Sequence, residues 1–250
     1  MNGFYCLTGF FNSISEYFGD VWDSFYEGFY KTFLKDDRWK FFLEGIENTL
    51  IIAIGATLMG ILIGIVISVV KVLHAKTGKL IILNWIFEIY TTVIRGTPVV
   101  LQLIIAYNII FINIENAVLV GIITFGINSG AYVSEIIRAG IMAVDVGQTE
   151  AGRSLGLSQF QTMRLIVLPQ AIKNVLPALG NEFIALLKET SVIGYLGVND
   201  LTRAGQRVLS LTYDFYFPYI SIAIVYLLMV MGLSKLFKML EKRFAQSDRG

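Results

Sequence analysis

Residues 49–70 form an uncharged apolar run of 22 residues, and this run constrains the fold more than any other feature of the chain. A helix of about 20 predominantly apolar residues is long enough to cross the hydrocarbon core of a bilayer. The composition agrees, because 55% of the 250 residues are hydrophobic and only 16% are charged, whereas globular chains carry about 25% charged residues. The sequence therefore predicts an all-α integral membrane protein.

Five apolar windows predict five transmembrane helices. They are residues 49–70, 96–114, 116–134, about 165–187 and 215–234. An amphipathic stretch, residues 80–94, precedes the second window. The fourth window contains Lys173, Glu182, Pro169 and Pro177. Because charged groups in a bilayer are costly unless they face the protein interior or a cavity, this helix cannot face lipid on all sides.

The distribution of basic residues orients the predicted helices. Cytoplasmic loops of membrane proteins carry an excess of Lys and Arg. With the N-terminus outside, twelve of the twenty Lys and Arg residues fall in cytoplasmic segments, Lys71 among them, and six fall outside. Arg95 and Lys188 then lie at membrane depth. We therefore expect an outside N-terminus and a cytoplasmic C-terminus, and the net charge of +1 gives no reason to expect nucleic-acid binding.

An aromatic and acidic segment, YFGDVWDSFYEGFYKTFL at residues 17–34, precedes the first predicted span. Its spacing favours an amphipathic helix on the outer membrane surface, with Trp22, Phe25, Phe29 and Tyr30 at the interface. Contact with an external protein is the alternative.

Small residues recur every four positions in the first span, at Ala56, Gly60, Gly64 and Ser68. Such a stripe allows two helix backbones to approach closely. The pattern predicts a tight helix contact, but it leaves open whether the partner helix lies in the same chain or in a second subunit.

The polar segment from residue 144 to residue 169 interrupts the apolar windows on the cytoplasmic side. Residues 149–155 suit a short helix, and Gly156 suits the left-handed conformation that ends one. Ser158 and Gln161 have the spacing of a capping box that starts a second helix near Gln159, and Pro169 marks another break or the start of the next element. The segment is either an ordinary loop or a helix pair shaped to lie in a groove of a soluble partner.

The string EAGRSLGLSQFQTMRLIVLP, residues 150–169, resembles the EAA loop of the membrane subunits of ATP-binding cassette (ABC) importers. Its one departure is Gly152, where the family usually has alanine, a change that weakens helix propensity by about 1 kcal/mol. Residues 88–103, 128–141 and 177–202 are similar to stretches of the polar amino-acid uptake branch, and the resemblance is continuous over about residues 45–243.

The resemblance implies a type I ABC importer permease fold and a divided transport machine. Two such permease subunits, identical or different, form the pathway; two ATPase subunits dock beneath them and carry ATP and Mg; and an extracytoplasmic solute-binding protein delivers a polar amino acid. The chain has no Gly-x-x-x-x-Gly-Lys-Ser/Thr motif, so we expect it to bind no ATP, metal or other cofactor and to have no catalytic residues. It is expected in the prokaryotic cytoplasmic (inner) membrane as a multi-pass protein.

The resemblance also divides the chain and assigns the coupling residues. Residues 1–45 are an extracytoplasmic amphipathic segment, 46–243 the transmembrane permease domain with a coupling loop at about 144–169, and 244–250 a cytoplasmic tail. The residues that couple ATP hydrolysis to transport are Glu150, Ala151, Gly152, Gly156 and Leu157.

Polar residues inside the predicted spans are candidates for the substrate pathway, because an amino acid needs donors for its carboxylate and acceptors for its ammonium group. The candidates are Arg95, Gln102, Asn108, Asn128, Asn181, Glu182 and Lys188. Arg95 has the alternative of pairing structurally with Glu88 or Glu135. Glu182 and Lys188 have the alternative of neutralising neighbours in a dimer core. Glu135 and Arg138, one helical turn apart, favour a local ion pair.

Two questions remain open in the sequence. The outer segment, residues 189–214, contains Asp200, Arg203, Arg207 and Asp214, which are either solvated charges or contacts for the external receptor. For the whole chain, an ion-gradient-driven transporter or channel and a non-transporting membrane scaffold are the alternative functions.

Overall fold

The structure, a computed structural model, describes residue 17 and residues 19–246, and within them the chain is helical without a β-strand. Residues 1–16 of the predicted N-terminal segment and residues 247–250 of the predicted tail lie outside this range. The elements in chain order are α1 (19–29, continuing as a π-helix at Tyr30–Leu34), α2 (Trp39–Thr77), α3 (Ile81–Gly96), α4 (Val99–Ile105, continuing as a π-helix at Ala106–Ile110), α5 (Ala117–Met142), α6 (Val146–Ser154), α7 (Gln159–Thr162, followed by a π-helix at Met163–Val167), α8 (Leu168–Glu189), a 3₁₀ helix (Thr190–Leu196), α9 (Leu201–Thr212) and α10 (Tyr216–Gln246).

Three of the described helices are long and apolar enough to cross a membrane, namely α2, α5 and residues 216–243 of α10. The second predicted window, residues 96–114, corresponds to α4 and its π-helical continuation, which together are shorter than predicted, and α3 meets α4 at a 107° bend near the start of this window. Pro98 causes the break, since it lacks a backbone N–H and forces extended backbone on Thr97. The fourth predicted span is α8, whose 22 residues give the required length but whose charges make it less apolar than the other three.

The small-residue stripe of α2 packs against α5 in the same chain, which answers the question that the sequence left open. A Cβ atom on Gly60 would lie 2.9 Å from Ser129, and one on Gly64 would lie 2.5 Å from Val133. The contact is reciprocal, because a Cβ atom on Gly130 of α5 would lie 2.7 Å from Ile63. Close backbone approach of this kind maximises van der Waals contact where water supplies no hydrophobic driving force.

Helices α8, α9 and α10 surround the α2–α5 pair. Phe183 of α8 and Phe237 of α10 meet edge to face with ring centroids 5.7 Å apart, and Leu187 is fully buried beside them. The fully buried Leu201 and Val208 of α9 pack with residues of α2 and α10. The short helix α9 therefore closes one end of the bundle.

Helix α1 presents the aromatic side chains that the sequence placed at a membrane interface. Trp22, Phe25 and Tyr30 are 68%, 54% and 45% exposed. The helix nevertheless contacts the bundle, because Gly28 lies against the ring of Phe217 on α10, and Phe25 meets the same ring at 5.4 Å. The exposed aromatic face agrees with interfacial anchoring.

The charged residues of the outer segment have structural partners. Asp200 is fully buried and caps α9 by accepting hydrogen bonds from the backbone amides of Thr202 and Arg203, and its burial raises the pKa of its carboxyl. Arg203 donates to the Gly194 carbonyl at 2.7 Å, and Arg207 stacks on Phe41. The interpretation of these residues as simply solvated is therefore wrong for Asp200.

Candidate functional site

The α6–α7 segment is a helix pair with defined caps. Helix α6 begins at Val146, three residues before the predicted start, because Asp145 accepts a hydrogen bond from the Gly147 amide at 2.6 Å and caps it. The predicted capping box is present, since Ser158 accepts from the Gln161 amide and the Gln161 side chain accepts from the Ser158 amide. The π-helix at residues 163–167 then leads into α8, where Pro169 occupies the first turn.

Gly156 makes the turn between the two helices. Its φ angle is +83°, in the left-handed region. The Leu157 amide donates to the Gly152 carbonyl at 3.1 Å, and the Gly156 amide donates to the Arg153 carbonyl at 3.0 Å. These two bonds form a Schellman motif, which requires a left-handed residue at the position of Gly156. The sequence prediction for this turn is confirmed.

Gly152, the departure from the usual EAA pattern, is buried between α6 and the helix that follows α7. A Cβ atom there would lie 2.8 Å from Ile166 Cδ1 and 2.8 Å from Thr162 Cγ2. Glycine therefore allows α6 to approach its neighbour closely in this chain. The loss of helix propensity is offset by this packing, which the sequence alone did not reveal.

The outer face of the helix pair carries exposed apolar side chains. Leu155 is 81% exposed, Phe160 is 73% exposed and Val146 is 70% exposed, and Glu150 and Ala151 are exposed beside them. Exposed apolar groups on a projecting, internally hydrogen-bonded unit are typical of a surface that another protein covers.

A polar network crosses the middle of the bundle. The side-chain amide of Asn128 on α5 donates to Gln102 Oε1 on α4 at 2.9 Å, and Asn128 is only 4% exposed. Gln102 in turn donates to the Ile94 carbonyl at 2.7 Å and to Thr97 Oγ1 at 2.8 Å. Gln102 thereby satisfies a carbonyl that the break at Pro98 leaves without its helical partner.

A second polar contact joins α5 to α8 next to this network. Ser129, which follows Asn128 and is fully buried, donates to Glu182 Oε1 at 3.0 Å. Glu182 is half-buried, and its second oxygen has no hydrogen-bond partner among the described residues. These two hydrogen-bonded pairs, Asn128 with Gln102 and Ser129 with Glu182, therefore connect α5 to α4 and to α8.

The other candidate pathway residues lie apart from this network. Asn108 is exposed and donates to the Ile104 carbonyl of its own helix. Asn181 and Lys188 lie on an exposed face of α8, away from its buried face. This stripe of α8 is not covered by the described part of the chain, so a second subunit or a solute can contact it.

Arg95 lies in a separate cluster that includes a buried lysine missed by the sequence analysis. Lys71 is 3% exposed and binds Glu135 at 2.7 Å and Glu88 at 3.1 Å. Arg138 pairs with Glu135 at 2.8 Å, as predicted. Arg95 pairs with neither carboxylate and stands over the Tyr132 ring instead. The position of Lys71 one turn beyond Ser68 on the small-residue stripe is the signal that indicates its burial.

Residues 60–246 match the family described as the binding-protein-dependent transport system inner membrane component. The chain belongs to this family. Its members are the permease subunits of ABC importers, so this chain is an ABC importer permease and a multi-pass inner-membrane protein. A gradient-driven transporter or a scaffold is not favoured, because the relatives described next are all transport permeases.

Two curated relatives show the extent of the similarity. The putative glutamine transport system permease protein GlnP of Rickettsia typhi is 42% identical over 206 residues, which cover 81% of this chain and 92% of that protein. The arginine transport system permease protein ArtQ of Bacillus subtilis is 38% identical over 212 residues, covering 83% and 94%.

The fold also matches a solved structure. The crystal structure of an amino acid ABC transporter with histidines aligns with a TM-score of 0.77 and 42% identity, over 84% of this permease and 98% of that chain. The predicted type I permease fold is therefore confirmed.

Proposed function

We propose that this permease moves polar amino acids into the cytoplasm and that ATP hydrolysis on separate ATPase subunits drives the movement. The relatives supporting this substrate class are named for glutamine and arginine transport and align over more than nine-tenths of their length. The observation that carries the coupling is the α6–Gly156–α7 unit, whose caps fix a rigid shape and whose outer face exposes Leu155 and Phe160.

In this proposal the exposed face of α6–α7 lies in a cleft of the ATPase. Glu150 and Ala151 face the ATPase, Gly152 holds α6 against the following helix, and Gly156 and Leu157 set the direction of the turn. Because α7 runs through the π-helix into α8 without a loop, a displacement of the pair transmits directly to α8 and to Glu182.

The substrate pathway in this proposal follows the polar residues of α4, α5 and α8. Glu182, Gln102 and Asn128 supply acceptors for the ammonium group, and Lys188 supplies a donor for the carboxylate. Asn108 and Asn181 line the outer and inner approaches. The exposed stripe of α8 faces the same path in a second permease subunit, identical or different.

The remaining assignments follow from the same scheme. The N-terminus is outside, and the chain crosses the membrane five times. Residues 1–45 form the extracytoplasmic N-terminal segment, 46–243 the permease domain and 244–250 the cytoplasmic tail. Two ATPase subunits carry ATP and Mg, an extracytoplasmic solute-binding protein delivers the amino acid, and the permease carries no cofactor, metal or catalytic residue of its own.

Reconstitution tests this function. The permease, its ATPase and its solute-binding protein are placed in proteoliposomes, and uptake of radiolabelled glutamine and arginine is measured with and without ATP. ATP-dependent uptake supports the proposal, whereas uptake driven only by an ion gradient contradicts it.

The pathway residues are tested in the same system. Lys188→Met and Gln102→Ala should change the ratio of glutamine to arginine uptake, and Lys235→Met, which removes an exposed charge from α10, is the matched control. Unchanged substrate preference in both pathway variants would exclude these residues from the pathway.

A further inference from the structure

A polar cavity of about 380 Å³ lies between α2, α3 and α5, apart from the network of Gln102, Asn128 and Glu182. The side chains that matter for its chemistry are Lys71, Asn84, Glu88, Arg95, Glu135 and Arg138. Lys71 and Arg138 also border a neighbouring cavity that Val146 and Thr149 of α6 help to close. The polar cavity is therefore at the end of the bundle that carries the α6–α7 segment.

Some of the charged side chains in this cavity form ion pairs with one another. Lys71 binds Glu135 and Glu88 and also donates to Thr91 Oγ1 at 3.1 Å. Arg138 binds the second oxygen of Glu135. Each carboxylate oxygen of Glu135 therefore has a basic partner, Lys71 for one and Arg138 for the other.

Two opposite charges remain available at the cavity. Among the described residues Arg95 has no ion pair or hydrogen bond from its guanidinium group, and it only stands over the Tyr132 ring at 5.3 Å. Glu88 uses one oxygen for Lys71, and its side chain is 54% exposed. The amide of Asn84 and the hydroxyl of Thr92 also face the cavity without a partner in the described part of the chain.

The free groups share one face of α3. Asn84, Glu88, Thr92 and Arg95 follow helical spacing, and Glu88 and Arg95 are two turns, roughly 10 Å, apart along the axis. A helical side chain leans towards the N-terminus, so Arg95 leans towards Glu88. The two opposite charges nevertheless do not pair with each other, and the space between them is open.

This arrangement matches a zwitterion better than a simple ion. A guanidinium group binds a carboxylate through two parallel hydrogen bonds, and the free oxygen of Glu88 accepts from an ammonium group. A phosphate or other anion would be repelled by the carboxylates of Glu88 and Glu135. A simple cation would be repelled by the positive charges of Lys71, Arg95 and Arg138. The volume lies in the range of small-molecule sites.

A free amino acid fits the cavity better than a zwitterionic lipid headgroup. Acyl chains need an apolar groove that is continuous with the headgroup site. The apolar cleft between α2 and α3 is lined by Ile63 and Phe87, among others, and shares no lining residue with the polar cavity.

We propose that this cavity is a second amino-acid site, in which Arg95 binds the carboxylate and Glu88 the ammonium group of an amino acid arriving from the α6–α7 side. The assignment of that side to the cytoplasm rests on the proposed function; the binding itself does not. A ligand that bridges two turns of α3 restricts the movement of this helix, which leads into the break at Pro98 and on to Gln102. Amino acid that accumulates on this side therefore slows further transport.

Equilibrium binding tests the site on the complete complex of permease and ATPase in nanodiscs of phosphatidylglycerol, without the solute-binding protein. Radiolabelled glutamine should bind the wild type and bind Arg95→Gln about tenfold more weakly or less, because one charge-assisted contact is lost. Lys79→Gln, which removes a charge from the same end of the bundle without touching the cavity, should bind like the wild type.

Further measurements separate this site from its alternatives. Glutaramic acid, which lacks the ammonium group, and 4-aminobutanamide, which lacks the carboxylate, should compete poorly with glutamine. Binding that disappears in Glu182→Gln but persists in Arg95→Gln would place the ligand in the central network and overturn the proposal. Loss of glutamine binding when phosphatidylethanolamine is included would overturn it in favour of a lipid.

The transport consequence has its own readout. In proteoliposomes preloaded with glutamine, ATP-driven uptake by the wild type should slow, and uptake by Arg95→Gln should slow less relative to the same variant in empty vesicles. Equal inhibition of both would overturn the regulatory role. If no variant transports with ATP, the proposed function fails, while the binding result still decides the second site.

Discussion

Replacing Gly156 isolates the contribution of one backbone turn to the coupling of ATP hydrolysis and uptake. The residue has a φ angle of +83°, and a Cβ atom added to it would meet no heavy atom within 4 Å. A Cβ atom at this position therefore causes no collision with the described part of the subunit. The perturbation is confined to the backbone conformation that the Schellman motif requires.

The magnitude follows from the cost of the left-handed region. For an ordinary L-residue the cost is about 1–2 kcal/mol, which lowers the population of the native turn by a factor of about 5–30. Asparagine tolerates this conformation best, and a β-branched residue tolerates it least. Coupling should thus decrease in the order Gly156→Asn, Gly156→Ala, Gly156→Val.

Uptake of amino acid and hydrolysis of ATP are measured together in proteoliposomes that contain the ATPase and the solute-binding protein. Gly156→Val should insert into the membrane normally, because the turn lies outside the transmembrane helices, but its uptake per ATP hydrolysed should fall about fivefold or more. Gly78→Val is the matched control, since Gly78 also caps a helix at φ +67° in open space but lies at the end of α2.

Two results would refute this reasoning. Receptor-stimulated uptake by Gly156→Val at the wild-type level would show that the turn does not couple the subunits. Equal loss in Gly78→Val would show that any strained helix end on this side impairs transport, so that the α6–α7 pair has no special role.

Three further substitutions test the packing and electrostatics of the subunit. Gly152→Ala should lower the thermal midpoint in detergent despite better helix propensity, because the new methyl group meets Ile166 Cδ1 and Thr162 Cγ2, each at 2.8 Å. Ile166→Val in the same chain removes one of these two contacts and should recover part of the loss, and a stabilised single variant would contradict the observed packing. Lys71→Met should destabilise the protein by about 1–3 kcal/mol, since Glu135 loses its buried partner but keeps Arg138. Adding Glu135→Gln should recover part of the loss, and no recovery would show that the pair does not act as a unit. Asp200→Ala should cost about 1 kcal/mol of helix capping, whereas Asp200→Asn retains the cap. Burial raises the pKa of the Asp200 carboxyl, so the wild type loses stability as the pH rises from the ordinary pKa to the raised pKa. Asp200→Asn should therefore have the higher thermal midpoint at pH 8 and no advantage at acidic pH. The opposite order would contradict a raised pKa.

Local signals in the sequence were sufficient to predict the α6–α7 segment. Its capping box, its left-handed glycine and its proline act within three or four residues of one another, and each was found where it was predicted. The apolar windows likewise located α2, α5 and α10, because the length of a membrane helix is set by the bilayer and not by its neighbours.

Contacts between distant residues could not be predicted from the sequence. Lys71 was counted among the cytoplasmic charges, but α3 and α5 bring Glu88 and Glu135 to it from 17 and 64 residues away. Arg95 had the same two carboxylates as expected partners, but Lys71 binds both of them and Arg95 pairs with neither.

The amino-acid sequence by itself determined which segments are helices, where the chain turns and that the protein lies in a membrane. The tertiary structure decided which helix meets the small-residue stripe, why Gly152 replaces alanine, and which polar groups stay free to bind a ligand. The physical reason is range: caps, turns and hydrophobic length depend on neighbours along the chain, whereas burial and ion pairing depend on whichever helices pack together.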